Sequence, residues 1–304
     1  MSKAARLEHR RQRQAEALRK ARLAQQRRRM ALAVAAVATV LVIIGGLVIV
    51  KLTAGGAGPA VADTAPASPI SDGVLDAVKN VPAAMFDQVG LGAVDTLPKA
   101  ISGQPALTAD GKPLVVYIGA EYCPYCAAQR WGLAVALSRF GTFTGLGETK
   151  SSTIDAFPGT ATLSFHGATY TSQYLAFQGV ETFSNVRQGD GYAPLDTPTD
   201  AQNQLMKTYN APPYVSSDAA GGIPFLDIAN KYLMQGASYS PEVLQGKPGI
   251  DIAGLLSNPD DPVAKAILGS ANAFTAALCQ ATGGQPGEIC TSSAVTAYQA
   301  KLHG

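Results

Sequence analysis

The feature that most constrains this chain is an uncharged apolar run at residues 30–50, MALAVAAVATVLVIIGGLVIV. At about 1.5 Å per residue, a helix of this length spans the roughly 30 Å hydrocarbon core of a bilayer. The preceding residues 1–29 hold 11 of the 24 Lys and Arg residues. Because positive charge marks the cytoplasmic side of a span, the pattern predicts a single-pass plasma-membrane helix. Its N-terminus would be cytoplasmic, and the rest of the chain would be extracytoplasmic.

Two alternatives to this topology arise from the same region. A cleavable signal peptide would suit the small residues around Ala60-Val61-Ala62. However, the apolar run is longer than an ordinary signal core and ends about ten residues before that site. The basic tail could also bind nucleic acid, but beside an apolar span such a tail more often sets topology and contacts anionic lipid. We therefore expect a membrane anchor and no nucleic-acid partner.

The remaining chain divides into a linker and one exported domain. Residues 51–70 are rich in Ala, Gly and Pro and lack an apolar period, which is typical of a flexible linker. Residues 71–304 are long enough for one large core. Strand-forming residues predict a β-rich insertion at about 141–210, and DDPVAKAILGSANAFTAALCQA predicts a helical C-terminal part.

Two cysteines, Cys123 and Cys126, lie where a predicted buried strand meets a predicted helix. The continuous apolar run PLVVYIGA is typical of a buried strand, and CAAQRWGLAVALSRF has apolar residues at helical spacing. A thiolate at a helix N-terminus has a lowered pKa, because the unpaired N–H groups and the helix dipole favour negative charge. Cys123 is therefore a candidate nucleophile for disulfide exchange, and Cys126 is the candidate resolving thiol.

Other roles for the four cysteines remain open. The Cys123–Cys126 pair could be an ordinary disulfide or half of a zinc site, but a structural zinc motif would need a second close pair. Cys279 and Cys290 flank the Gly/Pro loop ATGGQPGEI and predict a structural disulfide. His166 is interpreted as a half-buried strand residue. We expect no metal and no bound cofactor.

At this point two motifs resemble a known family. KPLVVYIGAEYCPYC resembles the active-site strand and turn of thioredoxin-fold proteins, and GGIPFLDIANKYLMQGASY resembles their cis-proline segment with its following hairpin. By that resemblance Pro224 is the cis-proline, and the backbone of Ile223 binds an extended substrate beside the cysteines. Tyr122 and Tyr125 are candidates for an aromatic rim around that substrate. The arrangement also resembles a poorly characterised membrane-tethered thioredoxin-like family of actinobacteria and archaea.

The resemblance implies a fold class, with one departure near the site. The implied fold is α/β: a thioredoxin-like fold with a β-rich insertion and a helical C-terminal part, preceded by one transmembrane helix. Thioredoxins carry a buried acid six residues before the first cysteine, where this chain has Tyr117. The carboxylate that helps proton transfer from the resolving thiol is therefore predicted to be absent. Glu121 and Arg130 flank the cysteines and could tune Cys123 electrostatically, but they are interpreted as solvated surface charges, and Trp131 is interpreted as a core residue.

The predicted function is thiol–disulfide exchange on exported proteins by a membrane-anchored enzyme. Oxidation or isomerisation is favoured over reduction, because the compartment is oxidising and Tyr117 replaces the acid. An oxidase would need a membrane redox partner to reoxidise it. A reductase, for instance in cytochrome maturation, would need an electron donor from across the membrane. A redox-inert thioredoxin-like binding module is the alternative, since a fold does not fix a function.

Overall fold

A computed structural model describes residues 66–302 of the chain. The predicted basic tail, the apolar run at 30–50 and most of the linker lie outside these residues. The described α-helices are α1 (Asp72–Lys79), α2 (Ala83–Val89), α3 (Pro124–Ser138), α4 (Asp200–Tyr209), α5 (Gly249–Leu255), α6 (Pro262–Ala281), α7 (Gly287–Cys290) and α8 (Ser293–Leu302). The described strands are β1 (Ser68–Pro69), β2 (Lys99–Ala100), β3 (Thr108–Ala109), β4 (Lys112–Gly119), β5 (Gly141–Thr144), β6 (Gly147–Lys150), β7 (Ala161–Ser164), β8 (Thr169–Ser172), β9 (Ala176–Glu181), β10 (Phe183–Gln188), β11 (Gly191–Pro194), β12 (Phe225–Ile228) and β13 (Tyr232–Gln235).

A mixed six-stranded sheet carries the candidate site. Its strands follow the order β2-β13-β12-β4-β3, and β9 also pairs with β4. Strand β4 is parallel to β9 and antiparallel to β12, so it has neighbours on both sides. Both faces of β4 also pack on apolar cores, and such a strand is apolar at successive positions, which explains the continuous run that predicted a buried strand here.

Side chains of β4 alternate between two apolar cores. Val115 and Tyr117 join the larger core, which includes Trp131 of α3, whereas Val116 and Ile118 join a smaller core. Trp131 is fully buried, which confirms its predicted core position. In α3, every residue except Tyr125 and Ser138 is buried, because the helix is packed against β7, α1 and α6.

The predicted fold class is corrected to an α/β domain with mixed sheets. A thioredoxin-like fold preceded by a transmembrane helix was predicted, but between residues 66 and 302 no helix is long and apolar enough to cross a membrane. The predicted span at 30–50 lies outside that range.

The predicted insertion is also corrected. Strand β9 was assigned to it, yet β9 pairs along β4 from Leu114 to Gly119 and belongs to the central sheet. The sequence did not indicate this pairing, because parallel partners far apart in the chain leave no local pattern.

The hairpin predicted after Pro224 is confirmed, and it contains a buried carboxyl group. Strands β12 and β13 are antiparallel. Asp227 is fully buried; its Oδ1 accepts the backbone N–H of Asn230 at 2.7 Å, and its Oδ2 has no hydrogen-bond partner in the described part of the chain. Burial raises the pKa of Asp227 to about 7.

Replacing this carboxyl group is expected to change how stability depends on pH. In the unfolded chain the pKa of Asp227 returns to about 3.9. Between about pH 4 and pH 7 the native state thus binds more protons, so stability falls as pH rises through this window. We expect Asp227→Asn to raise the free energy of unfolding by about 4 kcal/mol at pH 8 and to change it little at pH 4. Urea unfolding at both pH values measures the difference, and an equal effect at both would contradict the assignment.

Candidate redox site

The cysteine pair lies at the start of α3, just beyond the end of β4. Cys123 is the N-cap residue, and its Sγ accepts the backbone N–H of Cys126 at 3.3 Å. Pro124 occupies the first turn, where the missing N–H would have no helical partner. Both cysteines are free thiols, but Cys123 is 6 % exposed and Cys126 is 0 % exposed. Of the two residues, only Cys123 therefore has any surface that is open to a reactant.

The two thiols also differ in pKa. The hydrogen bond from the Cys126 thiol lowers the pKa of Cys123 most, and the Cys126 backbone N–H and the Arg130 charge lower it further against the effect of burial. Burial raises the pKa of Cys126 well above its ordinary value, and the hydrogen bond to Cys123 raises it too. Disulfide exchange needs this difference in pKa, because one sulfur must attack first as a thiolate while the other stays protonated until the second step.

A buried ion pair lies beneath the cysteine turn. The Arg130 Nε donates to Glu181 Oε1 at 2.8 Å, and the Arg130 Nη2 donates to Glu181 Oε2 at 2.9 Å. Both side chains are fully buried. The same Nη2 donates to the carbonyl of Ala120 at 2.6 Å, so the guanidinium is attached to the turn that carries Cys123.

The interpretation of Glu121 and Arg130 as solvated surface charges is wrong. They are 1 % and 0 % exposed. Glu121 accepts the Ser164 hydroxyl at 2.5 Å, because β7 lies over this side of the turn. Arg130 lies on a helix that is covered on all sides, so its charge is neutralised by Glu181 instead of by water.

The predicted absence of a buried carboxylate is also corrected. Tyr117 occupies the position at which thioredoxins carry a buried acid. However, Glu181 of the neighbouring strand β9 lies opposite Gly119 of β4 in the strand register. The negative charge of Glu181 acts on Cys126 and on Tyr117. Sequence reasoning missed Glu181 because only the parallel β4–β9 pairing brings it to the cysteines.

Aromatic residues precede and follow Cys123 in the chain, and their rings contact aromatic residues from segments that sequence reasoning did not single out. Tyr122 is half-buried and stacks on Tyr192, with ring centroids 4.2 Å apart. Tyr125 is 44 % exposed and contacts Phe157 edge to face. Phe183, which lies near Tyr122, is 40 % exposed. The predicted rim of Tyr122 and Tyr125 is thus part of a larger aromatic surface.

The structure places the predicted substrate-binding segment at the same end of the sheet as the cysteines. The Ile223–Pro224 peptide bond is cis, and Pro224 is buried while Ile223 is half-buried. Phe225, the next residue, pairs with Ile118 near the end of β4. A role for Ile223 and Pro224 in substrate binding stays a prediction.

The second cysteine pair forms a separate disulfide, whereas His166 pairs with Asp196, whose Oδ2 accepts the backbone N–H of Glu181 at 2.9 Å. Cys279 and Cys290 are joined by a disulfide that links α6 to α7. His166 Nδ1 lies 2.6 Å from Asp196 Oδ1 on a partly exposed surface. Within residues 66–302, no group of three or more His, Cys, Asp and Glu side chains could hold a metal ion.

Together the fold and site define an α/β protein with an asymmetric cysteine pair at a helix N-terminus. The chain belongs to the family described as "Domain of unknown function (DUF929)", which matches residues 100–280. That span contains the cysteine pair, Arg130, Glu181 and Pro224. No curated protein and no solved structure matches the chain.

Proposed function

We propose that this protein is a thiol–disulfide oxidoreductase in which Cys123 is the nucleophile and Cys126 the resolving thiol. The single observation that carries the proposal is the difference between the two sulfurs. Cys123 is slightly exposed and caps a helix with a lowered pKa, whereas Cys126 is fully buried with a raised pKa. A purely structural pair would not need one sulfur prepared as a thiolate.

The exchange needs only the two sulfurs. The Cys123 thiolate attacks one sulfur of a substrate disulfide; a new S–S bond forms, the old one breaks, and the other substrate sulfur leaves with the electron pair. Cys126 then loses its proton and attacks Cys123 Sγ, which releases the remaining substrate sulfur as a thiolate. The Cys123–Cys126 disulfide is the oxidised product, and the substrate has gained two electrons. The same steps in reverse oxidise a substrate dithiol.

We favour oxidation or isomerisation of exported proteins over their reduction. The Cys279–Cys290 disulfide supports an oxidising compartment, and the charge pattern of residues 1–50 predicts export. Substrates would be thiols and disulfides of exported proteins, and a membrane redox partner would reoxidise the pair.

The reduction potential of the Cys123–Cys126 pair tests this proposal. The full-length chain is equilibrated in glutathione buffers, and its free thiols are counted after quenching. We expect a potential of about −120 to −180 mV, which marks an oxidant or isomerase, whereas about −270 mV would mark a reductant. The matched control is Cys123→Ser, which cannot form the pair.

A second candidate is a redox-inert binding module. It is favoured by the apolar surface beside the cysteines, where Ile154 is 69 % exposed and Tyr125 44 % exposed, because such patches mark binding sites. A pair that never exchanges with glutathione, in a folded chain, would overturn the enzyme proposal and leave this one.

A further inference from the structure

A cavity of about 240 Å³ opens at the β13 edge of the central sheet. Strand β2 pairs with β13 only at Tyr232 and Leu233, and the cavity is lined by the next two residues of β13, Met234 and Gln235. It is also lined by Phe225 of β12, which pairs with Ile118 near the end of β4. This edge cavity therefore lies at the end of the sheet where β4 leads into the cysteine turn.

The distance from β4 to the edge cavity follows from the strand order. Strand β12 lies between β4 and β13. Because neighbouring strands lie about 4.8 Å apart, β13 is on the order of 10 Å from β4. An extended chain advances about 3.3 Å per residue. A protein segment that reacts at Cys123 can thus reach the cavity with a side chain about three residues away.

The walls of the edge cavity are held in place by hydrogen bonds. In the wall before β2, the backbone N–H of Thr96 donates to the Ser238 carbonyl at 3.2 Å. In the wall after α4, Gln235 donates through its amide to the Ala219 carbonyl. Ligand sites are usually formed before the ligand binds, and both walls meet that condition.

The lining of the edge cavity is mainly apolar and has two available donors. Tyr209 and Tyr214 line it and pack edge to face, with ring centroids 5.1 Å apart. Gln104 donates to the Tyr214 hydroxyl at 2.7 Å, so the hydroxyl proton is available for another acceptor. Lys99 is exposed and has no hydrogen-bond or ion-pair partner among residues 66–302. Since no described acidic side chain lines the cavity, it suits an apolar group that has a carboxylate beside it.

The size of the edge cavity indicates what enters it. Small-molecule sites usually have volumes of about 300–1,000 Å³, and this cavity is smaller. It has room for one aromatic side chain but not for a whole cofactor. A side chain that belongs to a longer bound chain fits this volume.

We propose that the edge cavity binds an aromatic side chain of the substrate protein, about three residues from the cysteine that reacts with Cys123. Lys99 pairs with a carboxylate next to that aromatic residue. The inference rests on the proposed function, because it names the substrates of the same cysteine pair. Exported proteins with an aromatic residue and an acid at this distance from a cysteine are the preferred substrates.

The rate at which peptide thiols react at Cys123 tests the inference. The full-length Cys126→Ser chain has Cys123 as its only free thiol. The Cys123 thiolate attacks the aromatic disulfide DTNB, which leaves thionitrobenzoate bonded to Cys123. A peptide thiolate then attacks Cys123 Sγ, the bond to the thionitrobenzoate sulfur breaks, and thionitrobenzoate leaves with the electron pair. The absorbance of the released thionitrobenzoate gives the second-order rate constant.

The probes are peptides with one cysteine and a Phe-Glu pair three residues before or after it. We expect the better of the two to react about tenfold faster than the same peptide with Ala in place of Phe, because the cavity buries the aromatic ring. Replacing the peptide Glu with Gln should lower the rate constant about twofold. Lys99→Gln should remove this smaller difference.

Two variants test whether the preference for Phe arises in the edge cavity. Tyr214→Ala removes one wall, and Ser216→Trp places a large ring at an exposed lining residue. We expect either variant to lower the tenfold preference to less than about twofold. Ser216→Trp provides the test even if Tyr214→Ala fails to fold. The matched control is Ile250→Ala, which removes a 54 % exposed apolar side chain outside the cavity and should retain the preference.

The outcomes separate this inference from the proposed function. Equal rate constants for the Phe and Ala peptides would overturn the inference. A tenfold preference that persists in Ser216→Trp would also overturn it, because the ring would then bind elsewhere, for instance beside Tyr122 and Tyr125. Neither result contradicts the redox proposal. That proposal fails if Cys123 does not react with DTNB in the folded chain.

Discussion

Cys126→Ser is expected to trap Cys123 as a stable mixed disulfide with a substrate protein, whereas Cys123→Ser is expected to lower exchange at least about 10³-fold. The two variants should differ because Cys126 is fully buried and, in the proposed mechanism, acts only after Cys123 has reacted. Without Cys126 no internal thiol can displace the substrate. Non-reducing gel electrophoresis after mixing with a scrambled disulfide protein measures the trapped species, and turnover of the same protein measures exchange.

The double variant Cys123→Ser/Cys126→Ser is the control for this pair of substitutions, since it keeps the Cys279–Cys290 disulfide. It should form no adduct. Equal trapping by Cys123→Ser and Cys126→Ser would contradict the assigned order of attack. In that case the fully buried sulfur would have to reach a substrate without Cys123.

Arg130→Met is expected to lower the free energy of unfolding by about 3–5 kcal/mol at pH 8, because it leaves the Glu181 carboxylate buried without its partner. Without the Arg130 charge, the pKa of Glu181 should rise further above the raised value that burial already gives it. The loss should therefore become smaller as the pH falls and the carboxyl group takes up a proton. Urea unfolding of the full-length chain at pH 8 and pH 5 measures both effects.

The matched control for this loss is Arg130→Met/Glu181→Leu, which removes both charges. We expect it to recover most of the stability, because replacing a buried ion pair with apolar side chains is often neutral. A double variant as unstable as Arg130→Met would mean that Arg130 stabilises the fold through the packing of its long side chain and not through its charge.

The local features of the site could be predicted from the sequence because they depend on neighbours in the chain. An apolar run followed by Cys-Pro-Tyr-Cys indicates a buried strand that ends at a helix N-terminus, and Cys123 lies there. The hairpin after Pro224 and the core position of Trp131 follow from equally local patterns.

The burial of Arg130 could have been predicted from the sequence of its own helix. Residues on every side of the helix are apolar, so a charge at Arg130 has no solvated face to occupy. Glu181 left no such signal, since a strand interrupted by Gly179 gives no indication of which distant strand it will join. The aromatic neighbours Phe183 and Tyr192 follow β9 in the chain, and their place beside Tyr122 depends on the same pairing.

The enclosure of α3 on all sides has a consequence for how the pair can change state. A helix whose residues are nearly all buried cannot tilt or unwind without opening the core around it. Oxidised and reduced forms of the protein should therefore share one backbone. The oxidised form differs by an S–S bond between Cys123 and Cys126, formed with the loss of two electrons and of the thiol protons, so a partner must recognise the redox state at the slightly exposed Cys123.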